Sequence, residues 1–294
     1  MYKNIALVGV FLFFFFGTPF QINAQYTIHN IRVEGNVKTK QHIILRELPY
    51  AIGTSITKDS LNILNTIAQQ QLINTSLFHE AIVTTQLIDS ANLDVYIKVS
   101  ERWYFFPLPY FRWVDRNFNE WWNAQNHSLD RVNYGMTLRQ ANATGNNDKL
   151  AVGLITGYTQ QSTLRYQFPY LDKKMRFGVG LGWQYFTQKE LNVDTRFDKQ
   201  VFTKTVNNIQ NGYRANINLL YRPNLFERHS LQVGFGKAAI SDSGLMAQPK
   251  YLPNYTKSFS YADVSLAFSK VKFDYNAYPT NGSSNEFSVY HRFS

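Results

Sequence analysis

The sequence predicts two unlike parts: a small α+β unit over residues 25–101, then an antiparallel transmembrane β-barrel over residues 102–294. Three observations predict this. The chain of 294 residues carries 23 Phe, 19 Tyr and 5 Trp, yet its mean hydropathy is only −0.31. A helical membrane protein would be far more hydrophobic, whereas a barrel that is apolar outside and polar inside gives both values. Next, the hydrophobic pattern changes near residue 101 from mixed helix and strand spacing to strict alternation. Finally, the chain opens with an export-type segment.

That segment is residues 1–24. Lys3 supplies the positive start, Ile5 to Phe16 is an unbroken apolar run, and Ile22-Asn23-Ala24 ends a more polar stretch. The run is too short to span a bilayer, and its flanks fit a secretory signal cut after Ala24. A retained anchor helix is the competing reading. Lys plus Arg number 30 against 20 Asp plus Glu, a formal charge of +10. With export this excess suits anionic lipid headgroups rather than nucleic acid. The chain has no cysteine. A disulfide framework, a Cys-ligated metal and a lipid-anchored cysteine are therefore excluded, and composition excludes a collagen or a disordered chain.

Within 25–101 the order is strand, helix, helix, strand, strand. Ile31 and Val33 mark a strand that ends in the turn sequence Glu34-Gly35-Asn36. Ile44 and Leu48 have helical spacing, terminated by Pro49 and Gly53. Thr57 is the expected N-cap of a second helix, with Asp59 in its positive first turn and Leu61, Leu64, Ala68 and Leu72 on one apolar face. Ala81, Val83, Thr85 and Leu87 alternate in one strand, and Leu93, Val95, Ile97 and Val99 in the next. A three-stranded sheet under two helices encloses one modest core.

These residues carry a resemblance. Ile28, Ile31, Val33-Glu34-Gly35-Asn36, Thr39, Ile43-Ile44-Leu45-Arg46-Glu47-Leu48, Gly53 and Leu77-Phe78 resemble a POTRA domain. That is the periplasmic polypeptide-transport module of the BamA/TamA-type outer-membrane assembly family. Most of these positions have structural roles in any chain of this fold.

From Trp103 onward the alternation is continuous. Val132, Tyr134, Met136 and Leu138 oppose Asn133, Gly135, Thr137 and Arg139. Phe177, Val179, Leu181, Trp183 and Tyr185 oppose Arg176 and a run of alternate glycines. Tyr213, Ala215, Ile217, Leu219 and Tyr221 oppose Arg214, Asn216 and Asn218. A soluble sandwich could alternate too, but two features favour a membrane wall. The apolar face is almost free of charge, and aromatics gather at strand ends, as in Tyr166, Phe168 and Tyr170, then Trp183 and Tyr185. With the front unit inside, the outer loops are 115–130, 159–162, 187–211 and 238–257. The inner turns are 142–148, 171–174, 223–229 and 274–285. Long outside and short inside is the outer-membrane pattern.

The second part also resembles the BamA/TamA-type barrel. The carriers are Leu164 to Tyr170 with Pro169, the Gly-rich strand at Phe177, and the turn Asp274…Pro279-Thr280…Gly282. Glu101-Arg102-Trp103-Tyr104 and Asp115 to Asn119 sit where that family leaves POTRA and enters the barrel. The resemblance implies sixteen strands and an inward loop with an Arg-Gly-Phe/Tyr motif. This sequence shows about nine strands and lacks the motif, so the expectation is a C-terminally incomplete chain. A natural small barrel or a half-barrel completed by a partner is the alternative.

The sequence carries no catalytic pattern. There is no His-Glu-x-x-His, Gly-x-Ser-x-Gly or Walker loop. Gly178-x-Gly180-x-Gly182 lies inside a strand, where small residues make room in a lumen. The six histidines show no ligand spacing. The expectation is a non-enzyme with no cofactor and no metal.

Three groups of residues are the candidate working parts. The resemblance makes the second POTRA strand, with His79, Ala81, Val83, Thr85 and Leu87, an exposed edge to which unfolded polypeptide could add as a strand. The first barrel strand, with Phe106, Pro107, Leu108, Pro109 and Tyr110, contains two residues that cannot donate to a ladder, which suggests a weak lateral seam. Arg139, Arg165, Arg176 and Arg214 share the lumen face as a hydrated lining. The resemblance implies a protein of the outer membrane, its POTRA domain in the periplasm. It would assist insertion of unfolded outer-membrane clients, in contact with bilayer, lipopolysaccharide and accessory lipoproteins. The alternative is a pore secreting one dedicated polypeptide.

Overall fold

The computed structural model describes residues 25–293 apart from 116, 125, 198, 205–207, 248 and 250–255. The expected signal at 1–24 lies outside the described residues.

The front unit runs β1 (Gln25–Glu34), α1 (Gln41–Arg46), β2 (Ser55–Thr57), α2 (Lys58–Asn74), β3 (Phe78–Leu87) and β4 (Asn92–Glu101). Its sheet has four strands in the order β2-β1-β4-β3, with β1 and β4 parallel. The short β2 is an addition to the three expected strands. The core holds Ile28, Ile43, Ile44, Leu72, Phe78, Leu93 and Val95, all at most 1% exposed. Burying each such side chain is worth about 1.5–3 kcal/mol, and this core is what holds α1, whose six residues are too few to persist alone. Gly35 turns out of β1 at φ +85°, and a Cβ there would sit 2.0 Å from the Val99 carbonyl oxygen. Thr57 does occupy the N-cap of α2, but its hydroxyl contacts the Ser60 hydroxyl at 2.8 Å rather than a backbone N–H.

The second part is one nine-stranded antiparallel sheet of neighbouring strands, the strand count that alternation predicts. Its members are β5 (Phe105–Trp113), β6 (Val132–Ala141), β7 (Lys149–Gly157), β8 (Thr159–Phe168) and β9 (Phe177–Gln188), then β12 (Gln210–Tyr221), β13 (Glu227–Ile240), β14 (Ser258–Phe273) and β15 (Gly282–Phe293). The outer connection after β9 contains a separate hairpin, β10 (Glu190–Arg196) with β11 (Lys199–Lys204). The connection after β13 contains α3 (Asp242–Ala247). The expected outer loop at 159–162 contracts to Tyr158 alone, because the ladder between β7 and β8 continues to Ile155↔Gln161.

Register makes the two faces explicit. One row across all nine strands pairs Pro107, Leu138, Val152, Leu164, Trp183, Ala215, Phe235, Ala262 and Phe293. The adjacent row pairs Phe106, Arg139, Ala151, Arg165, Gly182, Asn216, Gly234, Asp263 and Arg292. A one-residue step therefore passes from a wholly apolar row to one that, Phe106 at the edge apart, is made of charge, amide and small residues. Leu138, Leu164, Trp183 and Phe235 are 39–49% exposed and lack any packed layer over them. That is a wall with hydrocarbon expected on one side and water on the other.

Candidate functional site

The front unit is fastened to the inner end of this wall at all four turns. At 142–148, Lys40 N–H donates to the Gly145 carbonyl (3.0 Å) and the Asn142 amide donates to Thr39 Oγ1 (2.9 Å). At 169–176, Tyr170 OH donates to Glu47 Oε1 (3.1 Å) and Arg46 Nε to the Met175 carbonyl (3.2 Å). At 222–226, Arg222 grips Glu47 through two hydrogen bonds. At 274–281, the Asn74 amide donates to the Asp274 carbonyl (3.1 Å) and its oxygen accepts from Asn276 N–H (2.7 Å).

Local sequence explains how these groups arrive. Ile43, Ile44 and Glu47 fall on one side of α1 and its cap, so the carboxylate points where the apolar residues point. Glu47 is 2% exposed. The connection from β4 to β5 is equally fixed. Glu101 accepts from Lys38 N–H (3.0 Å) and Thr39 N–H (2.6 Å), and Tyr104 OH donates to the Leu77 carbonyl (3.0 Å). Tyr170 corrects one expectation. It does not extend the outward aromatic belt after Phe168; it is 8% exposed and joins the core of the front unit. The strand ends at Phe168, so alternation no longer governs the position. Burial and the Glu47 carboxylate push the Tyr170 hydroxyl pKa up. Burial, then the neighbouring Arg222 charge, lowers that of Arg46.

Arg139, Arg165 and Arg214 line a lumenal cavity of about 570 Å³ together with Phe106, Asn216 and Asn218. Arg214 Nη2 lies 2.6 Å from Asp263, whose carboxylate is fully buried. Glycine under the carboxylate makes this possible, since a Cβ on Gly234 would meet Asp263 Oδ1 at 2.6 Å. Arg176 stands apart from these three. It lines a second cavity of about 340 Å³ at the inner mouth, with Glu47, Tyr170, Arg222 and Arg228. Lys149 and Gln167 border both cavities.

β3 is the outer strand of the POTRA-type sheet. Ala81 and Val83 turn their side chains into the core at 8% and 7% exposure, while His79 and Leu87 are exposed. Gln69 of α2 donates to the Ala81 carbonyl (3.3 Å). The other face of β3 forms a groove in which Ile82, Thr84 and Gln86 lie beside Arg32, Tyr96 and Lys98.

β5 is one edge of the large sheet. Ala141 N–H donates to the Tyr104 carbonyl (2.8 Å) and Val114 N–H to the Arg131 carbonyl (3.0 Å). These bonds bracket an unbroken register, Phe105↔Gln140 to Trp113↔Val132. Bonded and non-bonded pairs alternate in an antiparallel ladder. Phe106, Leu108 and Tyr110 thus exchange bonds with β6, whereas the nitrogens of Pro107 and Pro109 point to the open edge. The two prolines therefore take no donor from the ladder with β6; the donors they lack belong to the open edge.

The chain thus joins a small α+β unit, by hydrogen bonds, to the turns at one end of a membrane-type antiparallel wall. Residues 26–102 match the family described as "POTRA: Surface antigen variable number repeat". This match covers the front unit alone. Among solved structures, BamA from Haemophilus ducreyi lacking POTRA domains 1–3 matches at 17% identity and TM-score 0.49, over 91% of this chain and 48% of that one. CdiB from Acinetobacter baumannii matches at 13% identity and TM-score 0.48, over 92% and 46%. CdiB from Escherichia coli matches at 13% and 0.46, over 84% and 42%. The chain thus spans about half the length of these structures. No curated protein matches it.

Proposed function

We propose that the chain receives unfolded polypeptide on its POTRA unit and assists its insertion into the outer membrane, with the POTRA unit in the periplasm. The observation that carries this reading is that two sheet edges, β3 and β5, belong to parts joined by hydrogen bonds at every inner turn. Strand addition at an edge uses main-chain bonds and needs no particular side chains, which suits a receptor for many clients. β5 offers a second edge thinned of donors by Pro107 and Pro109. The partners are unfolded outer-membrane proteins, the bilayer with its lipopolysaccharide, and accessory lipoproteins. A secretion pore for one polypeptide is the second reading, favoured by the adjoining lumenal and inner-mouth cavities. Depletion of the protein followed by a census of outer-membrane barrels and of exported proteins separates the two. Broad loss supports insertion, loss of a single exported protein supports the pore, and an unchanged census overturns both.

A further inference from the structure

Three arginines stand side by side at the inner mouth. Arg222 N–H donates to the Arg176 carbonyl (2.7 Å), one step beyond the pair Tyr221↔Phe177. The pair Tyr221↔His229 puts Arg228 in the same row on the other side. Like charges on directly neighbouring strands oppose one another, and Arg46 of α1 adds a fourth guanidinium. Among the described residues the inner-mouth cavity is lined by one carboxylate, Glu47, which Arg222 takes at 2.6 and 2.7 Å. Among the described residues no carboxylate pairs with Arg176 or Arg228. The Nε atoms of Arg176 and Arg222 are buried without a hydrogen-bond partner. All three line the cavity of about 340 Å³, whose lining also includes Gln71, Asn74 and Ser76 of the POTRA unit.

We infer that this cavity is a binding site for the carboxylates of an acidic polypeptide segment, held by Arg176 and Arg228 as it passes from the POTRA unit to the lumen. Guanidinium is the side chain suited to such a group, since its planar fork takes a carboxylate through two parallel hydrogen bonds. The position decides the source: the cavity lies between the POTRA unit and the lumen, and Lys149 continues the positive charge into the larger cavity. The inference rests on the proposed reception of polypeptide and specifies its chemistry.

The test uses the full chain folded in detergent micelles, titrated calorimetrically with two unfolded peptides of equal length, one carrying four Glu and one with Gln in their place. The wild type should bind the Glu peptide at least tenfold more tightly, with an advantage that shrinks as salt rises. R176Q/R228Q should remove that advantage, R176K/R228K should retain most of it, and the remote K58Q should leave it intact. Heat-modifiable gel mobility checks that each variant is folded. If R176Q/R228Q does not fold, the salt dependence and the R176K/R228K pair still decide. An undiminished preference in folded R176Q/R228Q overturns the site, as does equal loss in K58Q. Binding of inorganic phosphate without the Glu peptide shows a free-anion site and overturns the polypeptide assignment. Equal binding of both peptides to the wild type overturns the arginine site alone, whereas binding of neither removes the reception of polypeptide itself.

Discussion

Glu47 and Arg222 form a buried bidentate ion pair between the POTRA unit and the barrel wall, with Oε–Nη distances of 2.6 and 2.7 Å and side-chain exposures of 2% and 13%. Two charges taken out of water gain little over a well-packed apolar pair, but removing one leaves the other unpaired at a cost of about 3–5 kcal/mol. E47Q should therefore loosen the docked arrangement by several kcal/mol. E47Q/R222Q should recover part of the loss, because it removes both charges. Pulse proteolysis at the connection 102–104 measures it. Equal cleavage of wild type and E47Q would show that the other three turns hold the unit without this pair.

Gly35 supports a second expectation. Its φ of +85° is unfavourable for any other residue, and its missing Cβ would meet the Val99 carbonyl at 2.0 Å. Strain of this kind costs about 1–3 kcal/mol before any clash. G35A should thus lower the urea midpoint of the POTRA unit by the equivalent of about 3 kcal/mol. Hydrogen exchange at Val95 and Ile97, on the strand that Gly35 abuts, reads it out in the full chain.

The parts of the fold legible in the sequence are those set by periodicity. Alternation gave the wall, its two faces and its strand number, because each residue's face follows from parity alone. Turn chemistry marked Gly35 and the 274–281 turn. The docking was not legible. Glu47 carried a faint signal, a carboxylate among Ile43, Ile44 and Leu48 on a buried helix side. Its partners Tyr170 and Arg222 lie more than 120 residues away, in turns where no period applies. Tyr170 was misplaced for that reason, since strand parity was carried two residues past the strand's end. The direction of the Pro107 and Pro109 nitrogens likewise needed the bonded pairs, which sequence does not reveal.

Asp274 organises the last inner turn. Its carboxylate accepts from Tyr275 N–H (2.9 Å), Thr280 N–H (3.0 Å), Asn281 N–H (3.2 Å) and the Thr280 hydroxyl. These bonds, the Thr280 hydroxyl foremost, hold its pKa down at about 2. A depressed carboxylate stabilises the fold above its unfolded pKa, and this contribution fades as pH falls through the ordinary carboxylate range toward about 2. Amide exchange at Thr280 and Asn281 should therefore be protected at neutral pH and lose that protection on acidification. D274A should show fast exchange at neutral pH. Slow exchange in D274A would assign the order of this turn to Asn74 instead.

The two faces of β12 give a paired test. Ile217 points outward at 53% exposure, and its neighbour Asn216 faces the lumen beside Gly182 and Gly234. Arginine on the lipid side near the bilayer midplane costs about 2–4 kcal/mol, and lumenal changes cost far less. Folding into lipid vesicles under urea should show I217R weakened by that amount and N216S within about 1 kcal/mol of wild type. Equal effects would contradict the assignment of faces.

The prolines of β5 give the sharpest prediction about mechanism. Phe106, Leu108 and Tyr110 supply the bonds to β6, so replacing Pro107 and Pro109 leaves that ladder unchanged. What P107T/P109T adds is two N–H donors on the open edge, with β-branched side chains that favour an extended strand. Each new edge bond contributes about 0.5–1.5 kcal/mol when it finds an acceptor. A strand that closes against β5 should be held more tightly and release more slowly, and client insertion should slow accordingly. Cross-linking yield between cysteines placed on β5 and on incoming client strands, followed over time, measures the release. Insertion at the wild-type rate in a folded P107T/P109T variant would remove β5 as the moving seam. Faster insertion would mean that the edge acts as a template, gaining from added donors.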